Sequence, residues 1–136
     1  MSSSSDVFLD TSVVMRLLVG APLEQFRMAT RFLDSRVTDG GTVTVGDLVL
    51  AEAYFALQSA YAMPKDEALD VLARFSVAPG IVVSGHAREA LALPGISRAK
   101  PGFIDRLIHG QATLSGATLV TFEKAADRLP TTIVLG

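Results

Sequence analysis

Two rhythms of apolar residues alternate along the chain. Short runs rich in β-branched and aromatic side chains fall at 7–9, 42–45, 81–83, 118–122 and 131–135, and each reads as a strand. Between them, apolar residues recur at three- and four-residue spacing, the signature of one helical face. That spacing predicts helices from about Val13 to the stop at Gly20-Ala21-Pro22, over 24–37, over 48–60 and from Pro64 to Pro79-Gly80. Further helices are expected over 86–93 and 103–115, with a short turn at 125–129. The expected inward residues are Phe26, Ala29 and Leu33, then Ala68, Leu72 and Phe75, then Ile104, Leu107, Ile108 and Leu114. Asp47 is placed to cap the helix that follows it, and Gly116 to end the helix before it.

Strands that alternate with helices from end to end predict an α/β fold with a parallel sheet covered on both faces. A chain of 136 residues fits a single domain, here 7–136, behind a serine-rich tail at 1–6 that carries no signal-peptide pattern. The apolar fraction of 49% is high, so part of the surface is expected to be covered by a partner, most simply a second copy. No apolar run is long enough to span a bilayer. The absence of cysteine excludes disulfides, thiol nucleophiles and zinc–thiolate sites, and it fits a reducing compartment such as the cytoplasm. The net charge of −2 offers no global attraction for nucleic acid, so any RNA must meet a local basic patch or a bound cation.

Four acids stand in unusual contexts. Asp10 closes the first strand, where ligands bind in open α/β sheets. Capping of the next helix is its plain alternative, and Ser12 could serve as a cap too. Glu52 is surrounded by Leu48, Leu50, Ala51, Ala53, Tyr54 and Phe55, so it is expected to face inward, where an ionised carboxylate is costly without a partner. A salt bridge or an exposed helix face would also accommodate it. Asp105 lies in the first turn of its helix, a favourable place for any acid. His109, one turn on, reads as a neighbour rather than a ligand. Glu123 repeats the strand-end placement of Asp10, with the Thr121 hydroxyl close by and Asp127 competing for the same role. Gathered together, such carboxylates stay ionised only around a hard cation, and oxygen donors alone suit Mg²⁺ or Mn²⁺. That chemistry points to hydrolysis of phosphate esters. Arg98, Lys100 and Arg106, around the start of the Asp105 helix, are candidates to hold RNA phosphates, or else a solvated loop.

Four blocks, FLDTSVVMRLL from Phe8, VLAEAYFAL from Val49, GFIDRLIHGQATLSGATLVTF from Gly102 and FEKAADRLPTTIVLG from Phe122, resemble in order and spacing the PIN-domain ribonucleases, specifically VapC-type toxins of type II toxin–antitoxin pairs. The resemblance covers nearly the whole chain. It implies a three-layer α/β/α sandwich whose five-stranded parallel sheet has the order 3-2-1-4-5. It implies Mg²⁺ or Mn²⁺ held by Asp10, Glu52 and Asp105, with a fourth acid after Thr121-Phe122. That position is more often aspartate in the family and is Glu123 here, which leaves direct ligation and a water-mediated role equally open. Ser12 matches a small polar residue two places after the first acid. The implied partners are an RNA substrate, either transfer RNA or ribosomal RNA, a small antitoxin protein and a second copy of the chain.

Other phosphoryl-transfer classes fit less well. A haloacid-dehalogenase site needs a second acid two residues after the first, where Ser12 stands. A receiver domain needs an acidic pair that the chain lacks, and no glycine-rich phosphate loop is present. From a different class, a PIN-like module with a degenerate site, binding RNA or protein without cutting, remains the alternative.

Overall fold

A computed structural model describes residues 7–136; the expected tail at 1–6 lies outside the described residues. Helix α1 (Thr11–Val19) begins where the Asp10 side chain accepts from the Val13 N–H, and ends at Gly20, whose left-handed φ of 78° lets its own N–H return to the Arg16 carbonyl. Helix α2 (Leu23–Thr38) follows and buries no residue fully. Phe26, Ala29 and Leu33 are half-buried, as their spacing predicts, while Met28 and Phe32 are exposed. Strand β1 (Val43–Gly46) leads directly into α3 (Asp47–Ser59), and α4 (Lys65–Ser76) starts after Pro64 with Asp66 and Glu67 in its first turn. Strand β2 (Ile81–Ser84) then precedes the short α5 (Ala87–Ala92). A single 3₁₀ turn (Ile96–Arg98) leads to α6 (Phe103–Leu114), β3 (Leu119–Thr121), a second 3₁₀ turn (Lys124–Arg128) and β4 (Thr132–Val134).

The helix inventory agrees with the sequence pattern to within a residue or two. The sheet does not. The expected continuous five-stranded sheet is replaced by two parallel pairs, β1 with β2 and β3 with β4. Residues 7–9 add only a bridge, Phe8 opposite Thr44, held by Leu9 N–H to the Thr44 carbonyl (2.9 Å) and Thr44 N–H to the Val7 carbonyl (2.7 Å). The 3-2-1 half of the expected order is therefore present as β2, β1 and residues 7–9, and the 4-5 half as β3 and β4. The seam between them is missing. No backbone hydrogen bond among the described residues joins residues 7–9 to β3. The extended segments are three or four residues long, at the low end for strands, so each offers few bonds with which to recruit a neighbour.

The core lies between α3, α4, β1 and the start of α6, with Val43, Val45, Leu50, Leu57, Leu69, Leu72 and Phe103 fully buried. Asp47 takes a different part from the one its position suggests. It is the first residue of α3, with Gly46 at the cap, and its carboxylate crosses to α5, accepting from the N–H groups of His86 (2.9 Å) and Ala87 (2.8 Å). A Cβ at Gly85, where φ is 119°, would lie 2.5 Å from that carboxylate, so the close approach requires glycine. The inward face of α6 also departs from expectation. Phe103, Leu107 and Gly110 form its buried stripe, whereas Ile108 and Leu114 are exposed. Gly110 sets that choice, because it lets α6 come close to the His86 side chain. No helix among the described residues is long and apolar enough to cross a membrane.

Candidate active site

Asp10 follows the first extended segment at once. Its Oδ1 accepts from the Ser12 hydroxyl (2.6 Å) and from the Val13 N–H (3.1 Å), so the capping role is real. Both bonds fall on one oxygen. The Ser12 hydroxyl, with help from the Val13 N–H, holds this carboxyl below its ordinary pKa. The Asp10 carboxylate is exposed, directly after the segment 7–9 that bridges to β1.

Glu52 is not buried, contrary to the expectation drawn from its neighbours. The inward stripe of α3 is Leu50, Ala53, Tyr54 and Leu57, which turns Glu52, Leu48 and Phe55 outward. Because α3 is apolar on its outer face as well, apolar neighbours in sequence do not imply burial there. Glu52 is nonetheless positioned: its Oε1 accepts from the Thr11 hydroxyl at 2.6 Å. Thr11 is the residue next to Asp10, so α1 and α3 bring these two acids to one edge of the molecule. Thr11 was not singled out from the sequence, where nothing distinguishes it from an ordinary first-turn residue.

Asp105 and Glu123 lie together elsewhere. They line one open pocket of about 420 Å³ with Lys65, Arg98 and Lys100. Glu123 caps its own 3₁₀ turn through Oε1 to the Ala125 N–H (3.0 Å), and its N–H donates to the Thr121 hydroxyl (3.0 Å). Asp127 is not among the residues of that pocket. Of the three basic candidates, Arg98 and Lys100 face it. Arg106 instead donates through Nε to the Pro101 carbonyl (2.7 Å) and lines a separate pocket beside His86 and His109. His109 is engaged by the Pro130 carbonyl at 2.7 Å. Lys65, at the start of α4, is a contributor that sequence reasoning missed, since forty residues separate it from Asp105.

Asp10 is thus linked to Glu52 through its neighbour Thr11, while Asp105 and Glu123 line a pocket that does not include Asp10. The oxygen-only donor set of the four acids suits a hard divalent cation. Among the described residues, no three Asp, Glu or His side chains are grouped closely enough to hold an ion as the side chains stand.

The chain matches the PIN domain family over residues 7–131. It belongs to the PIN-domain family. PIN domains are a nuclease fold, typically metal-dependent, and their substrate class is nucleic acid. A comparison with curated proteins gave no significant match. Within this PIN domain the matched region contains Asp10, Glu52, Asp105 and Glu123 and ends just before β4.

Proposed function

We propose that this PIN domain is a divalent-metal-dependent endoribonuclease acting in the cytoplasm. In this reading it is the toxin of a type II toxin–antitoxin (VapBC-like) pair. It hydrolyses phosphodiester bonds in transfer RNA or ribosomal RNA and is held inactive by a small antitoxin protein. Family membership over residues 7–131 carries this reading. The pocket in which two carboxylates meet Lys65, Arg98 and Lys100 supports it, since those cations suit RNA phosphates.

Asp10, Glu52 and Asp105 are the proposed ligands, Glu123 is the fourth acid, and Ser12 and Thr121 are the supporting hydroxyls. A bound Mg²⁺ or Mn²⁺ would supply Lewis acidity and an acidified water. The chain's own part is to orient the Asp10 carboxylate through Ser12, to aim Glu52 through Thr11, and to hold substrate phosphates with Lys65, Arg98 and Lys100.

The test is cleavage of transfer and ribosomal RNA fragments by the purified chain with Mg²⁺ or Mn²⁺, against chelator. Asp10→Asn and Glu52→Gln are each expected to lower the rate on the order of a hundredfold or more, with the circular dichroism unchanged. Growth arrest on expression should be relieved by Glu52→Gln. Equal cleavage by the parent and Asp10→Asn would remove these acids from the chemistry. A second reading, a PIN module that binds RNA without cutting it, is favoured by the absence, among the described residues, of three acids grouped closely enough to hold an ion. RNA binding without cleavage under every metal condition would select it.

A further inference from the structure

Phe122 is the most exposed aromatic residue among those described, at 76%, and no other ring among them touches it. A lone exposed apolar side chain is ordinary on a protein surface, so exposure by itself decides nothing. What sets this ring apart is its place. The residues on either side of it are fixed. The Thr121 carbonyl accepts from the Leu135 N–H (2.8 Å), and the Thr121 hydroxyl accepts from the Glu123 N–H (3.0 Å). Glu123 in turn accepts from the Ala125 N–H through Oε1 (3.0 Å) and from the Ala126 N–H through its carbonyl (3.1 Å). The ring is therefore carried on a short turn tied on both sides, with its Cα about 3.8 Å from that of Glu123. Glu123 shares its pocket with Lys65, Arg98 and Lys100.

We infer that Phe122 is a stacking platform for an unpaired base of the RNA, next to the phosphate that Lys65, Arg98 and Lys100 hold. This role rests on the proposed nuclease reading, which supplies the RNA, and adds the feature of the strand that is recognised. Cations that track phosphates beside an exposed aromatic face are the recognition chemistry of single-stranded nucleic acid. No aromatic residue lines the pocket itself among the described residues, so the pocket suits phosphate and sugar but offers a base no face. Phe122, one residue outside it, offers that face. A phenyl ring has two side-chain torsions, so fixing it against a base costs little entropy. An apolar protein segment could cover the ring yet would leave the three cations unanswered. An RNA strand satisfies ring and cations together.

The platform sets what can be cut. A base inside an A-form duplex is stacked on its neighbours and has no free face to give. Cleavage is therefore confined to loops and single-stranded ends. Every base has a π-face, so stacking excludes none, but a purine offers the larger one and is favoured beside the scissile bond.

The chain has no tryptophan, so Phe122→Trp places a single fluorescent reporter on the platform itself. In an Asp10→Asn background with Mg²⁺, which keeps the strand intact, short oligoadenylate should quench its emission at the concentrations at which it binds. Oligouridylate should quench more weakly, and an adenylate–uridylate duplex not at all. Val77→Trp, at an exposed position after α4 and about 18 Å along that helix from Lys65, should stay unquenched. In cleavage of single-stranded RNA, Phe122→Ala should raise KM roughly five- to hundredfold with kcat changed much less. Phe122→Tyr should restore the parent KM, whereas Phe122→Leu, apolar but without a π-face, should not. Equal quenching by the duplex, no quenching by a single strand that binds, or a parent-like KM in Phe122→Ala overturns the platform. The nuclease reading then stands, and the ring is left to a protein partner. Quenching by single strands, with a parent that cuts no RNA under any metal, removes the nuclease reading instead and leaves the platform standing in a binding module. Failure of every RNA to bind overturns both.

Discussion

Asp10 titrates lower because of a neighbour two residues away. With the Ser12 hydroxyl bonded to Oδ1, the folded carboxyl titrates below its ordinary value. The sign follows from linkage: this contribution to stability is fully present above the ordinary carboxyl pKa and is lost as pH falls through the lowered folded value. Ser12→Ala should therefore raise the Asp10 pKa toward the ordinary value, read from the side-chain carboxyl shift in an NMR titration. An unmoved Asp10 pKa in that variant would show that the hydroxyl does not act on it. Asp10 was legible in the sequence because a lone acid at the end of an apolar run has a special position whatever the packing. Glu52 was legible as a candidate for a reason that fails. Its apolar neighbours signalled burial, yet α3 is apolar on both sides and turns Glu52 outward. Lys65 could not be found from sequence, because its meeting with Asp105 and Glu123 depends on how α4 packs.

Among the elements, helices were read well and the sheet poorly. Helix ends carry local chemistry, such as Asp10 before α1, Pro64 before α4 and Gly20 after α1, and local chemistry is what a sequence displays. Strand pairing is decided between distant segments, and three-residue strands hold too little pattern to fix their neighbours. The inward face of α6 departs from the apolar spacing because Gly110, which has no side chain to signal burial, lies on it, whereas Ile108 and Leu114 do not. At Gly110 an added Cβ would meet His86 side-chain atoms at 2.3–2.7 Å. Those atoms are the root of the ring and cannot swing aside as a long side chain would. Gly110→Ala should accordingly destabilise the fold by about 1–3 kcal/mol, measured as a lowered urea midpoint with unchanged slope. A midpoint equal to the parent's would mean that α6 is free to shift.

Across the whole molecule, a net charge of −2 means that RNA affinity must come from a few placed cations rather than from the overall field. Replacing Lys65 and Lys100 together by alanine should flatten the dependence of log K on log salt by about 0.7 per lost phosphate contact on single-stranded RNA. Arg106→Ala should leave that slope unchanged, since its guanidinium serves the Pro101 carbonyl. An equal loss from Arg106→Ala would relocate the RNA path to the opposite side of α6. Long-range order has one more dependence built into it, through Asp47. Its carboxylate completes the first turn of α5 from thirty-nine and forty residues upstream in the chain. Six residues are too few to hold helical shape alone. Residues 87–92 are thus helical on condition: their winding waits on the meeting of β1 and β2, and a chain cut between those strands would be left with a disordered strip where α5 now stands.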